Sequence, residues 1–438
     1  MIFPFAVLFL ATGGARTPAF DRRSLFQASA SFGSFFGFDR SADAADSEQP
    51  KPPNNNPLSI SQRTLGSSNV QVSSIALGTQ RWVSTDYNAP DESACFQLLD
   101  VAYEAGVRTI DTAEQYPIPS GLGSPEGQTE VTIGNWMRSR SIDRKTMTIA
   151  TKITGATNVS PKNIEKDLDG SLKRLQTDYV DCYLLHWPQR YQPQSNWGQS
   201  LQYNYAGEYR RQITFEELCV TMDKMIKKGK IRSWGLCNDS AYGLTKCCVT
   251  AKQMGLTPPA AFQGDFSLLD RKSCENGVLE AASPFNENVG FMAYNVLAGG
   301  MLTGKYMSDP NPLQRKQRGR MDTRGWGQTL YRYQSPPAKS AIIEYDRLAK
   351  QAGMSLGELS VRWAAEREGI STLLLGHSNL EQLRETLTWA AKADQQPLDR
   401  DLLWEIDRVH MKNRNPIFAN DAVPKEWYGG GAIGEPIP

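Results

Sequence analysis

Four side chains in this sequence could together donate a proton to an oxygen atom that is gaining negative charge. Tyr116 would be the donor. A phenol has an ordinary pKa of about 10, so it gives up its proton readily only when a neighbouring cation stabilises the phenolate. Lys152 would be that cation, and Asp111 would keep the amine charged and in place. His186 would orient the oxygen as a neutral hydrogen-bond donor. Taken singly, each residue has an ordinary structural explanation, whereas all four in this order favour a site.

The elements that must position these side chains follow a regular alternation. From residue 63 onward, short apolar runs alternate with longer amphipathic runs, which is typical of repeated βα units. Val70–Ser74 and Ile75–Gly78 are predicted to form a hairpin and the first strand, and Glu92–Glu104 the first helix. The later predicted strands are Arg108–Asp111, Met147–Lys152, Val180–His186, Ile231–Leu236, Ala260–Gln263, Val289–Tyr294 and Ser371–Leu375. The pattern favours an α/β fold, a (β/α)₈ TIM barrel with an amino-terminal β-hairpin and long loops on its carboxyl-terminal face.

Most of these runs end in, or just before, a polar or aromatic side chain. The residues in question are Asp111, Lys152, His186, Asn238, Gln263 and Tyr294. Because the carboxyl ends of all barrel strands meet on one face, residues far apart in the chain are expected to converge there. A Rossmann-type nucleotide site is not indicated, since Gly121-Leu122-Gly123 has the wrong third spacing and no strand before it.

Several motifs at these positions resemble those of the aldo-keto reductases. They are Arg63–Gly66 with Ile75–Thr79, Ile110–Tyr116, Thr151-Lys152 and Leu184–Pro188, and the resemblance runs from about residue 63 to about residue 386. Tyr116-Pro117, Ile133–Trp136 and Gly229–Arg232 are most similar to the Tas-like branch, which is related to the potassium-channel β subunits. The resemblance implies reduction of an aldehyde or ketone to an alcohol by hydride transfer from NADPH, with Tyr116 as the proton donor.

The same resemblance implies where the cofactor binds. Tyr294 would stack on the nicotinamide, Asn238 and Gln263 would bond its carboxamide, and Lys305 would pair with the pyrophosphate. Glu385 would contact the adenine. The complete set of implied cofactor residues is Thr79, Cys237, Asn238, Gln263, Tyr294, Asn295, Leu297, Gly299, Lys305, Arg320, Gly376, Ser378, Gln382 and Glu385.

The sequence departs from the family at two positions of the implied cofactor site. Cys237 stands where the family usually has Ser, and Thr386 where it often has Asn, so the carboxamide and adenine contacts are expected to be weaker. Arg320, from the basic stretch 315–320, is assigned as a second phosphate-binding cation by alignment. This second phosphate-binding cation favours NADPH over NADH.

The substrate is expected to be a small carbonyl compound held by Trp82 and Trp187. The long polar and aromatic loop Gln189–Arg211 follows the His186 strand and would shape the same site. Trp197 and Tyr203, within this loop, are further candidates, with simple packing of a bulky insert as the alternative.

Composition argues against several other classes of function. The 438 residues include 48 Lys and Arg against 47 Asp and Glu, so no broad positive field attracts nucleic acid. Seven Cys show no C-x-x-C pair, and three His provide few ligands, so no metal is expected. The apolar run 2–11 is too short to span a membrane, so stable membrane insertion is not expected. The oligomeric state is not predicted.

Residues 1–57 are predicted to be a targeting leader with a Pro-rich linker, 58–415 the barrel, and 416–438 a tail. The run 2–11 resembles a signal-peptide core, and residues 16–37 resemble a transit peptide, which together are typical of plastid proteins. The stroma is the expected compartment. Arg22-Arg23 is compatible with a twin-arginine signal for the thylakoid lumen, or equally with two chance arginines in a disordered low-complexity tail. The secretory pathway and the cytoplasm are alternative destinations.

Two functions other than carbonyl reduction share most of these features. A nucleotide-sensing regulatory protein with little turnover, like the channel β subunits, would keep the fold and the cofactor. A structural barrel without a ligand would keep the fold alone.

Overall fold

The computed structural model describes residues 60–155, 158–190, 213–307, 319–322 and 330–418. The chain divides into two units, and all of these residues belong to the second, Asn54–Pro438. The predicted leader and residues 419–438 of the predicted tail lie outside the described residues.

Eight parallel strands form a closed barrel, which confirms the predicted fold. The barrel strands are β3 (Ile75–Gly78), β4 (Thr109–Asp111), β5 (Thr148–Ile153), β6 (Val180–Leu185), β7 (Ile231–Cys237), β8 (Ala261–Asp265), β9 (Gly290–Tyr294) and β10 (Ile370–Leu375). Each strand pairs with the next in chain order, and β10 pairs with β3 to close the ring. Strands β5 and β6 are buried along their whole length because helices cover the outer face of a parallel sheet.

An antiparallel hairpin precedes the barrel, with β1 (Gln62–Thr64) paired to β2 (Gln71–Ser73). The sequence indicated the region of β2 but not β1. Gly66, between the two strands, has a φ of +53°, and a Cβ there would lie 2.5 Å from the Ala260 carbonyl oxygen. The hairpin therefore approaches the barrel so closely that this position requires glycine.

Helices connect the strands and pack around them. They are α1 (Glu92–Glu104), α2 (Gln128–Ser139), α3 (Pro161–Leu175), α4 (Phe215–Lys227), α5 (Ala241–Gln253), α6 (Lys272–Glu275), α7 (Val278–Ala282), α8 (Pro336–Gln351), α9 (Leu356–Ala365), α10 (Leu380–Gln395) and α11 (Arg400–Lys412). Side-chain caps explain several starts. Thr214 and Glu217 form a reciprocal capping box at α4, and the Asn379 side chain accepts the Gln382 backbone N–H at α10.

The barrel interior is filled from the amino-terminal end by the hairpin. Leu65, Val70 and Val72 are buried there. They pack with inward-facing strand residues, namely Ala76, Ala150, Cys182, Leu184, Ala261, Met292 and Leu374. This filling leaves the carboxyl-terminal face as the open end of the barrel. No helix in the described segments is long and apolar enough to cross a membrane.

Candidate active site

A buried ion pair lies at the centre of the carboxyl-terminal face. The Lys152 amine, on β5, donates to both carboxylate oxygens of Asp111 at the end of β4, at 2.8 Å each. The amine also donates to the Thr112 carbonyl oxygen at 2.8 Å. Burial lowers the pKa of Lys152, but the charge of Asp111, together with Tyr116, Cys237 and the hydrogen bond to Asp111, outweighs burial and leaves that pKa above its usual value. Lys152 is therefore held as a cation.

Tyr116 lies beside this pair. The Lys152 nitrogen is 5.0 Å from the centre of the Tyr116 ring, and the ring is buried. Burial raises the pKa of Tyr116 to about 12, while the charge of Lys152 acts in the opposite direction. The sequence led us to expect Lys152 to make the phenol more acidic. The charge of Lys152 does act in that direction, but the cost of burying a phenolate is larger, so the net pKa lies above its ordinary value.

His186 directly follows β6 and packs edge-to-face against Tyr116, with ring centres 5.7 Å apart. Burial, aided by the charge of Lys152, lowers the pKa of His186 well below its usual value, so the imidazole is neutral. Its Nδ1 atom is buried and has no hydrogen-bond partner among the described residues. The four residues predicted from the sequence are thus brought together.

Polar side chains from β7, β8 and β9 connect to this group. The Gln263 amide nitrogen donates to Asp111 Oδ1 at 2.8 Å. The Cys237 thiol donates to the Gln263 amide oxygen at 3.5 Å. The Asn238 amide donates to the His186 carbonyl at 3.0 Å, and the Tyr294 hydroxyl donates to the Asn238 amide oxygen. Asn238 has a φ of +56°, a conformation that asparagine tolerates better than most residues.

A single cavity of about 780 Å³ extends over these residues. Of the predicted catalytic residues, Asp111, Tyr116 and His186 line it, whereas Lys152 lies beneath and is fully buried. All fourteen predicted cofactor residues line the cavity: Thr79, Cys237, Asn238, Gln263, Tyr294, Asn295, Leu297, Gly299, Lys305, Arg320, Gly376, Ser378, Gln382 and Glu385.

Three cationic side chains line the cavity, those of Arg81, Lys305 and Arg320. Burial and the charge of Arg81 lower the pKa of Lys305 and bring the pKa of Arg320 to about 9. Because these positive charges disfavour one another, an anionic group such as a pyrophosphate would relieve their repulsion. Arg81 was missed by the sequence analysis, although it stands only two residues after Thr79, where the family motif ends.

The far end of the cavity is formed by the start of α10. The Ser378 backbone N–H donates to the Gln382 side-chain oxygen at 2.9 Å. Thr386 lines the cavity, and its hydroxyl lies 2.7 Å from His377 Nε2. Trp389 also lines this end and was not predicted, since a tryptophan on an amphipathic helix is read as packing.

The two predicted substrate residues differ in position. Trp82 is buried and lines the same cavity as Tyr116 and His186. Trp187 stacks on His186, with ring centres 6.3 Å apart, but is not among the described residues that line the cavity. Trp197 and Tyr203 lie outside the described residues.

A second network supports the β9 end of the site. Asp265 Oδ2, at the end of β8, accepts the Asn295 amide at 3.1 Å, the Arg332 guanidinium at 2.7 Å and the Tyr333 hydroxyl at 2.5 Å. Both Asp265 Oδ1 and Asp270 Oδ1 are buried and have no hydrogen-bond partner within the described part of the chain. Asn295 is thus held by a carboxylate that lies close to a second buried acid.

A buried ion pair joins the segments that follow β6 and β7. Two guanidinium nitrogens of Arg190 donate to the Asp239 carboxylate, at 3.0 and 2.5 Å, and the side chains are 2% and 1% exposed. A Cβ at Gly243 would lie 2.2 Å from Asp239 Oδ1, so α5 packs directly on the pair. The sequence analysis did not identify this pair.

No group of three or more His, Cys, Asp or Glu side chains suited to a metal ion occurs within the described part of the chain. All seven cysteines are buried and none forms a disulfide.

The sequence was compared with known protein families and with similar proteins. The model of the aldo/keto reductase family matches residues 74–406, which is more than half of the chain. The chain belongs to the aldo/keto reductase family. It is therefore an NAD(P)H-dependent oxidoreductase, as predicted.

Two similar proteins are consistent with this aldo/keto reductase assignment. "Protein tas" of Escherichia coli (strain K12) is 29% identical over 359 residues, which cover 78% of this chain and 96% of that protein. An "Aldo-keto reductase" of Babesia bovis is 33% identical over 270 residues, which cover 60% of this chain and 92% of that protein. The predicted family and the likeness to Tas are thus confirmed.

Proposed function

We propose that this aldo/keto reductase reduces a small aldehyde or ketone to an alcohol with NADPH, and that Tyr116 donates the proton. The observation that carries the proposal is the grouping of Tyr116, Lys152 and Asp111 beneath one cavity. A protonated phenol faces the cavity, and a fixed cation lies 5.0 Å from its ring.

Each side chain has a separate task in this reaction. NADPH, when bound, supplies the hydride that the carbonyl carbon accepts. The carbonyl oxygen takes the proton of Tyr116, so that an alcohol is formed and a phenolate remains. The charge of Lys152 stabilises that phenolate, and Asp111 keeps Lys152 charged. The neutral imidazole of His186 orients the carbonyl oxygen toward Tyr116.

The residues of the cavity fit a nicotinamide dinucleotide. Tyr294 would support the nicotinamide, and Asn238 and Gln263 would bond its carboxamide. The crowded cations Lys305 and Arg320, with Arg81, would hold the pyrophosphate. At the far end of the cavity, Ser378 and Gln382 would contact the ribose phosphate and Glu385 the adenine. The preference for NADPH over NADH rests on these polar contacts at the ribose.

The small size of the substrate is proposed from the surroundings of Tyr116. Trp82 lines the same cavity as the phenol, and Trp187 stacks on the His186 ring. An apolar indole wall next to a polar donor suits a compact carbonyl compound.

Tyr116→Phe tests the role of the phenol. The variant keeps the ring and loses only the proton donor, so we expect cofactor affinity to stay unchanged and hydride transfer to slow by about 10²–10⁴-fold. Stopped-flow absorbance of NADPH measures the transfer, and fluorescence titration measures the affinity. An unchanged rate would show that Tyr116 is not the donor.

A screen of aldehydes and ketones with NADPH and with NADH tests the class of reaction. Turnover with NADPH that exceeds turnover with NADH supports the proposal. Tight NADPH binding without turnover of any carbonyl compound would instead indicate a nucleotide-sensing protein. Thermal stabilisation by neither nucleotide would contradict both functions, because a ligand that binds the folded state must stabilise it.

A further inference from the structure

The Gln263 side chain both lines the cavity and forms a hydrogen bond with Asp111. It lines the cavity at the end where the nicotinamide is proposed to lie, and only 3% of the residue is exposed. Its amide nitrogen nevertheless donates to Asp111 Oδ1 at 2.8 Å, across 152 positions of sequence. A residue that served only as a cofactor contact would not need this bond to the acid beneath Lys152.

The bond completes the coordination of Asp111. The Lys152 amine donates to both Oδ1 and Oδ2 of Asp111, and the Gln263 amide nitrogen donates a further hydrogen bond to Oδ1. A buried carboxylate that accepts several hydrogen bonds is fixed in orientation, and part of its negative charge is compensated. Gln263 in turn accepts the Cys237 thiol hydrogen, so its amide is held with the nitrogen toward Asp111.

Asn238, the other amide proposed to bond the carboxamide, offers a direct comparison. Its side chain donates to the His186 carbonyl and the Cys237 sulfur and accepts the Tyr294 hydroxyl. Among the described residues, its hydrogen-bond partners do not include Asp111 or Lys152. Loss of Asn238 and loss of Gln263 should therefore differ in what they do to the ion pair.

We propose that Gln263 is a positioning residue that holds the Asp111–Lys152 pair, and through it the Tyr116 phenol, in the geometry that proton donation requires. This inference rests on the reductase function proposed above. Gln263 would thus connect the end of the cavity near β8 with the proposed proton donor, Tyr116, through the Asp111–Lys152 pair.

The charged and titratable groups around this link are few among the described residues. Gln263 contacts Asp111 and Cys237, and Tyr116 is influenced by Lys152, Asp111, Cys237 and Arg320. His186 packs on the opposite edge of Tyr116 and stays neutral. Any pH dependence introduced at position 263 can therefore be assigned to the new carboxyl group and to the Asp111 carboxylate with which it would share a proton.

Two variants of Gln263 separate the hypotheses. Gln263→Met keeps the length of the side chain and removes the donor, so we expect the single-turnover rate at saturating cofactor to fall about tenfold, with little change in the KM for the carbonyl compound. Gln263→Glu supplies a carboxylic acid that donates to Asp111 while protonated. Two carboxylates so close cannot both ionise easily, so we expect a rate near wild type at acid pH that falls as the introduced acid ionises.

Asn238→Gly is the matched control, because glycine accepts the positive φ and the substitution removes the other proposed carboxamide contact. It should weaken cofactor affinity without adding a pH dependence to the single-turnover rate. A flat pH profile for Gln263→Glu at saturating cofactor would overturn the positioning role.

A measurement on the free protein makes the test independent of turnover. In protein labelled with ¹⁵N-lysine, the Lys152 ammonium resonance should move in Gln263→Met and stay in place in Asn238→Gly. A Lys152 resonance at the same position in wild type, Gln263→Met and Asn238→Gly would refute the inference. If wild type reduces no carbonyl compound but the resonance moves as expected, the reductase proposal fails and the positioning of Lys152 by Gln263 stands.

Discussion

Tyr116 and His186 are both held in the protonation state that carbonyl reduction needs. The phenol keeps its proton because burial raises its pKa to about 12, and the imidazole stays neutral because burial lowers its pKa. We therefore expect the single-turnover rate of reduction to be flat between about pH 6 and 9. Stopped-flow measurements across this range check the prediction. A loss of rate with a midpoint inside the range would mean that another group titrates in the site.

Asp270 should make the stability of the fold depend on pH. Burial and the nearby charge of Asp265 raise the pKa of Asp270 to about 8. The folded state then keeps a proton that the unfolded state releases above its pKa of about 4, so the free energy of unfolding falls as pH rises between about 4 and 8, by at most about 1.4 kcal/mol per pH unit. Asp270→Asn should remove this contribution, as measured by urea unfolding at several pH values.

Asp169→Asn is the matched control for Asp270, because Asp169 is half exposed and paired with Lys230 at the surface. We expect this variant to keep the pH dependence of wild type. Parallel stability curves for wild type and Asp270→Asn would show that Asp270 ionises normally.

At the scale of elements, the Arg190–Asp239 pair fixes the segments that follow β6 and β7. Both side chains are almost fully buried, so removing one partner leaves the other charge without compensation. Arg190→Met should lower the free energy of unfolding by about 3–5 kcal/mol, as measured by urea denaturation.

Lys350→Met provides a comparison at the surface, because Lys350 pairs with Asp346 while largely exposed. This variant should cost about 0.5 kcal/mol or less. Equal losses in the two variants would mean that the Arg190 pair contributes no more than an exposed one.

The elements that could be predicted from the sequence are those with a local pattern. Strands such as β5 and β6 are short and rich in apolar and β-branched residues, Lys152 lies next to the end of β5, and His186 directly follows β6. Strand β1 was missed because Gln62–Thr64 is short and polar. The contacts of Arg190 with Asp239 and of Gln263 with Asp111 span 49 and 152 positions, and no local pattern reports such partners. The pKa of Tyr116 depends on burial, which motifs do not measure.

At the scale of the whole molecule, we propose that residues 1–57 direct the chain to the plastid, with the stroma as its destination. The apolar run followed by a basic, Ser-rich stretch supports this proposal. Residues 1–57 fused to a fluorescent protein should enter plastids in an alga with secondary plastids, whereas a fusion to residues 58–100 should not. Secretion or cytoplasmic retention of the first fusion would contradict the proposal, and accumulation in the thylakoid would favour the lumen.

The hairpin that fills the barrel from its amino-terminal end also limits how Tyr116, the proposed proton donor, could regain its proton. Among the described residues that fill the barrel, Ala150, Leu184 and Met292 carry no exchangeable side-chain proton, and the Cys182 thiol, which does, is fully buried, with its pKa raised by burial to about 12. Water must therefore replace each donated proton from the cavity side, where the oxidised dinucleotide and the new alcohol would stand in its way. Reprotonation is thereby coupled to product release, so deuterated solvent should slow the steps between turnovers as well as the chemical step.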